Sequence, residues 1–144
     1  MTSTLLTNLD DILHFTSVSG SIDEYKINPS ILNAQILYIE PILGSDLYEK
    51  IIDLVETGVI SGETNYKLLL DDYIIPSLVF HAIELYIPFN SYVISDGGTF
   101  QLTPTNANPN PQNEIDRLAN RYKIIGAKYD DKLVKYLCKN STLF

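Results

Sequence analysis

Two histidines, one cysteine and eighteen carboxylates are the residues with which this chain could do chemistry. His81 and Glu84 stand three positions apart, the interval that puts two side chains on one helical face and that di-metal helical bundles use for a ligand pair. A second such pair is missing, because His14 sits in a different local pattern. His81 is therefore expected to be structural, with its hydrogen bonds satisfied inside an apolar helix. Cys138 and the two histidines cannot assemble a zinc set, and a lone cysteine excludes an internal disulfide. The neighbouring acids Asp10-Asp11, Asp71-Asp72 and Asp130-Asp131 would point about 100° apart on a helix, which makes them solvated faces rather than paired carboxylates. Ser17, Ser77 and Cys138 are possible nucleophiles, yet no nucleophile elbow, Walker loop or dinucleotide glycine pattern surrounds them. Asp96-Gly97-Gly98 is a turn signature. The sequence thus predicts no enzyme, no cofactor and no metal.

The elements that would hold these residues are mostly helical. At 144 residues, 45% hydrophobic and 19% charged, the chain reads as one globular domain, 1–144, with its own core. The expected fold is mainly α, a bundle of four to five helices with a long C-terminal helix and a protruding β-hairpin or loop. Thr7-Asn8 and the acids after it begin a short helix ending near Phe15, packed as a satellite of the core. Asn28-Pro29 starts the next helix, which Pro41 should stop near Glu40. Gly44 then takes a left-handed cap and Ser45 caps a helix to about Thr57, burying Leu47, Ile51, Leu54 and Val55. Gly58 ends it. Ser61-Gly62-Glu63 opens a third helix with Tyr66, Leu69, Leu70, Tyr73, Ser77 and Phe80 on one face, which Pro76 should kink or split.

From 88 to 111 the pattern changes. Tyr92-Val-Ile-Ser and Thr-Phe100-Gln-Leu alternate on either side of Asp96-Gly97-Gly98, as a hairpin does, and a Pro/Asn run follows. So long a stretch without helix predicts a functional protrusion. A helix over 111–139 then carries Ile115, Leu118, Tyr122, Ile125, Tyr129 and Tyr136 at three- and four-residue spacing.

Charge is unevenly spread along this plan. Residues 1–111 hold three lysines and no arginine against fourteen acids, a net of −11, while residues 112–144 hold seven bases against four acids, a net of +3. Such polarity suits head-to-tail contacts between copies, and the acidic body argues against general nucleic-acid binding. Neither a secretory signal nor an apolar run of membrane-spanning length is present, so the sequence predicts a protein made in a reducing cytoplasm and not held in a membrane.

Read together, Asn28-Pro-Ser-Ile-Leu-Asn-Ala-Gln35, Tyr38-Ile-Glu-Pro-Ile-Leu-Gly44, Leu47-Tyr48, Tyr66-x-x-Leu-Leu, Ile75-Pro76 and Asp96-Gly-Gly98 resemble the head-tail connector proteins of tailed bacteriophages. The similarity is to the helical connectors of crAss-like Bacteroidetes phages, related in kind to the adaptor ring beneath the portal of long-tailed siphophages. It covers roughly residues 25 to 101, and the C-terminal helix agrees in type only. It implies a structural virion protein at the head-tail junction, about twelve copies of which form a ring docked on the portal protein. On its other side would sit the next neck or tail ring protein, with genomic DNA passing through the channel without specific binding. By the same resemblance, contacts with partners are carried over to Tyr92, Asp96, Gly97, Gly98, Phe100 and Phe144. The alternative is a cytoplasmic helical interaction or regulatory module that grips a partner with its C-terminal helix.

Overall fold

The computed structural model describes residues 4–18, 22–90, 92–95, 98–101 and 112–144, with the backbone alone for 92–95, 98–101 and 112. Side-chain caps begin the first two helices. In α1 (Leu9–Phe15) the Asn8 side chain accepts the Asp11 amide at 3.0 Å, and the Thr7 hydroxyl donates to the Asp11 carboxylate at 2.7 Å. Fully buried Ile12 wedges this short helix into the core, so it is more than the satellite expected. Helix α2 (24–43) starts at Asp23, whose carboxylate accepts the Tyr25 amide. Asn28-Pro29 therefore lies inside the helix and does not begin it. Starting earlier buries Ile27 completely, and the bond that Pro29 cannot make belongs to the first turn at Tyr25, which is 89% exposed and open to water.

Pro41 does not stop its helix and Pro76 does not split its own; a local π bulge precedes each. In α2 the stretch Glu24–Ala34 passes into a wide π turn, Gln35–Ile39, before resuming as Glu40–Leu43. In α4 (64–90), Thr64–Leu69 likewise passes through a π turn, Leu70–Ile74, into Ile75–Asn90. Each π turn ends two residues before a proline, Pro41 or Pro76. A proline ring collides with the carbonyl four residues back, and a widened turn moves that carbonyl aside. The helix continues at the cost of a local bulge.

Between them lies α3 (Ser45–Glu56). Gly44 before it has φ +80° as a glycine there should, but ψ is 157°, so it is extended rather than left-handed helical, and Ser45 is the first helical residue without a capping bond. Gly58 at φ +75° does end α3 in the left-handed region. A single 3₁₀ turn, Val59–Gly62, leads into α4. That helix runs two residues past Pro88 to Asn90. Strand β1 (Tyr92–Ser95) pairs antiparallel with β2 (Gly98–Gln101), Tyr92 opposite Gln101 and Val93 opposite Phe100. Helix α5 (Gln112–Lys139) follows and ends in a 3₁₀ turn, Ser141–Leu143. Five helices are thus present among the described residues.

The core centres on α4, where every residue from Pro76 to Ile83 is buried. A helix apolar on all sides must be enclosed, and α1, α2 and α5 surround it. One hydrophobic cluster draws on all five helices. Against α4, helix α5 lays down Ile115, Ala119, Tyr122, Gly126 and Leu133. Leu118 and Ile125, expected on that face, are instead 46% and 40% exposed at its edge. Several tyrosines are core members: Tyr122 and Tyr129 stack on Phe80 at 6.2 and 5.2 Å, and Tyr136 stacks on Tyr73 at 4.0 Å.

Candidate functional site

Four of the residues that could do chemistry, Ser77, His81, Glu84 and Asp130, converge at one place in the α4–α5 contact. His81, 1% exposed, has both ring nitrogens occupied: Nε2 lies 2.8 Å from Asp130 Oδ2 and Nδ1 lies 3.2 Å from Glu84 Oε2. The other oxygens of the two carboxylates are used as well. Tyr38 donates its phenolic hydrogen to Glu84 Oε1 at 3.1 Å, and the Ser77 hydroxyl donates to Asp130 Oδ1. The Tyr38 ring lies flat on the imidazole, 3.7 Å between centroids with 7° between planes. Side chains from α2, α4 and α5 thereby form one network, and no buried side-chain polar atom among the described residues lacks a partner.

The surroundings favour a charged imidazole and a neutral phenol. Burial pulls the His81 pKa down, but hydrogen bonds and charge from Asp130 and Glu84 outweigh it, so the imidazole titrates above its ordinary 6.5. As an imidazolium it donates from both nitrogens. Burial, with the Glu84 charge behind it, pushes Tyr38 up to about 12, so the phenol stays protonated and donating.

What this arrangement can do follows from its directions. Ser77 points at a carboxylate and not at a ring nitrogen, so nothing here draws off its proton to make a nucleophile. The two carboxylates bind opposite edges of the ring and share no point with it, and no three ligating groups gather around an ion site among the described residues. The network is a clamp between helices. Its fourth wall is Gly126: a β-carbon there would stand 2.8 Å from His81 Cε1 and 2.9 Å from Nε2. Pinned by two carboxylates and by Tyr38, the ring has nowhere to retreat. Gly126→Ala would otherwise stabilise a helix by up to about 1 kcal/mol. Here it is expected to destabilise by about 1 to 3 kcal/mol, read as a lower unfolding midpoint in denaturant. A raised midpoint would show that the ring has room to move.

The pairing of His81 with Glu84 was visible in the sequence, and the interior position predicted for His81 is the one observed. Asp130, a solvated acid by its sequence setting, is instead the residue that ties α5 to α4. Tyr38, 43 residues from His81, carried no local signal. Gly126 did carry one, since a glycine inside a strong helical pattern asks for a packing reason. A second clamp joins the N-terminal segment to the bundle: buried Gln35 accepts the Leu6 amide at 2.7 Å and donates to the Thr4 carbonyl and the Tyr48 hydroxyl.

Of the residues expected at partner contacts, Tyr92, Gly98 and Phe100 lie on the paired strands, while Asp96 and Gly97 fall outside the described residues. Phe144 is half-buried and meets the Tyr66 ring edge-on at 5.4 Å. With Leu43 and Tyr66 it lines an open cleft at the α2–α3 junction. Among the described residues no helix is long and apolar enough to cross a membrane.

Residues 39–144 match a family of unknown function, DUF6712, and over so much of its length the chain belongs to that family. The matched span contains α3, α4 and α5 with His81, Glu84 and Asp130, and begins one residue after Tyr38. No curated protein and no solved structure matches the chain.

Proposed function

We propose that this DUF6712 chain is a structural subunit of a tailed-phage virion, one of about twelve in a ring at the head-tail junction. The ring docks on the portal protein and leaves a channel for DNA. The observation that carries this reading is the connection between α4 and α5. These helices pack along each other, so a turn of 2 to 8 residues would join them. The chain instead spends residues 91–111 there and pairs two strands within them. A two-stranded unit is marginal alone and offers free edges to another sheet, so in this reading it protrudes and docks on the portal or a neighbouring subunit, with Tyr92 and Phe100 as apolar anchors. The sequence resemblance supports the same reading, as does a site whose polar groups are all used internally.

The direct test is electron microscopy of the purified full-length protein, alone and with a portal protein from a phage that encodes this chain. Closed rings with a central channel that cap the portal are the expected images. A protein that stays monomeric in both samples would remove the connector reading in favour of an interaction module.

A further inference from the structure

We infer that copies of this chain join through two charged helix faces, a basic stripe on α5 of one copy against an acidic stripe on α3 of the next. This rests on the ring reading only for the choice of a second copy as the partner. At about 100° per residue, Arg117, Arg121, Lys128, Lys132, Lys135 and Lys139 fall within an arc of about 60° along α5. All six are exposed. Of the four acids on that helix, Asp116, Asp130 and Asp131 fall outside the arc and Glu114 stands at its beginning. From Arg117 to Lys139 the stripe is about 33 Å long. Exposed Leu118 and Ile125 border it on the core side and exposed Ile124 on the other.

The complementary face is on α3. Asp46, Glu49, Asp53 and Glu56 recur at intervals of three, four and three residues, which puts them on one side, and all four are exposed. No ion pair among the described residues involves either stripe; those present are Lys67 with Asp71 and His81 with its two carboxylates. Lys132 makes the one internal contact, lying 5.8 and 6.0 Å from the Tyr129 and Tyr73 ring centres. Like charges in line on a helix repel, so each stripe costs stability in a lone chain and is relieved by the other. An exposed ion pair is worth little singly, whereas a row of them bordered by apolar residues sets register and partner choice. The acidic face supplies the partner chemistry within the same polypeptide, which favours a second copy over an unrelated acidic protein.

Charge reversal tests this with full-length chains, whose helical content is checked first by circular dichroism. Sedimentation velocity at low and high salt then reads self-association. Replacing Asp46, Glu49, Asp53 and Glu56 together by Lys makes both faces basic, and replacing Arg117, Arg121, Lys128 and Lys135 together by Glu makes both acidic. Each variant alone is expected to weaken self-association on the order of tenfold or more. Mixing the two variants, or combining all eight substitutions in one chain, should restore it, because opposite faces meet again. Wild-type association should fall as salt screens the pairs beyond a Debye length of about 8 Å. Loss without rescue, or no effect of reversal, overturns the contact. So does a wild-type chain that stays monomeric but binds a labelled DNA duplex, which would assign the stripe to phosphates. Rescue in an assembly fixed at two copies would instead keep the contact and remove the ring.

Discussion

Asp130→Ala is expected to destabilise the protein by about 3 kcal/mol, a large share of the 5 to 15 kcal/mol typical of a domain. The substitution strips the Ser77 hydroxyl and the His81 Nε2 hydrogen of their acceptor inside the bundle, and it leaves Glu84 as the one carboxylate facing a buried imidazolium. For a chain of this length the loss corresponds to a melting temperature lower by about 10 °C. The pH dependence separates charge from packing. Because the folded-state pKa of His81 lies above its unfolded value, the clamp's stabilisation is complete below about pH 6.5 and fades as pH rises through the folded value. Denaturant titrations at about pH 6 and about pH 9 should therefore show the wild type losing stability on the alkaline side, and Asp130→Asn losing less of it across the same interval. Equal slopes in the two proteins would mean that the bond to Asp130 is a neutral one.

Replacing residues 91–103 with a short Gly/Ser linker is expected to leave helical content and thermal unfolding nearly unchanged while abolishing assembly onto the portal or onto neighbouring subunits. Among the described side chains one hydrophobic core draws on all five helices, so the fold is expected to lose little by removal of this segment. A lost strand edge cannot be replaced by flexible chain, because the unpaired backbone groups of the edge would be the binding determinant. Complete virions assembled from the shortened protein would reduce the segment to a linker.

What could be read from the sequence was local. Helix α5 was legible almost to the residue, 111–139 against Gln112–Lys139, because a 28-residue pattern repeats its own evidence many times over. Gly58 and the Asn8 cap were legible because each acts on its own few neighbours in sequence. Misreadings arose where a local rule met a tertiary one. Pro41 and Pro76 are helix breakers by their rings, yet the apolar surface on both sides of each was worth more buried in one continuous helix than the bulge costs. Asn28-Pro29 is a good start signal that lost to Asp23 and to the burial of Ile27. The clamp was half legible: His81 and Glu84 are three residues apart, whereas Asp130 lies 49 positions from His81 and meets it only after α5 folds back along α4. The two charged stripes were present as periodicities, but whole-segment charge totals averaged them away.

The π turn in α4 also sets the phase of everything after it. Each residue added to or removed from a helix rotates the downstream part by about 100° about the axis. Leu69 before the turn, Leu70 at its start and Leu78 and His81 after it all face inward only because the wide turn takes up one residue more than an α turn would. Forcing the same residues into unbroken α geometry would yield a straighter helix with better local geometry and would swing His81 about 100° away from Asp130. In this helix the irregular turn acts as the gear that keeps two regular halves in mesh, and local regularity would be bought with loss of the fit to α5.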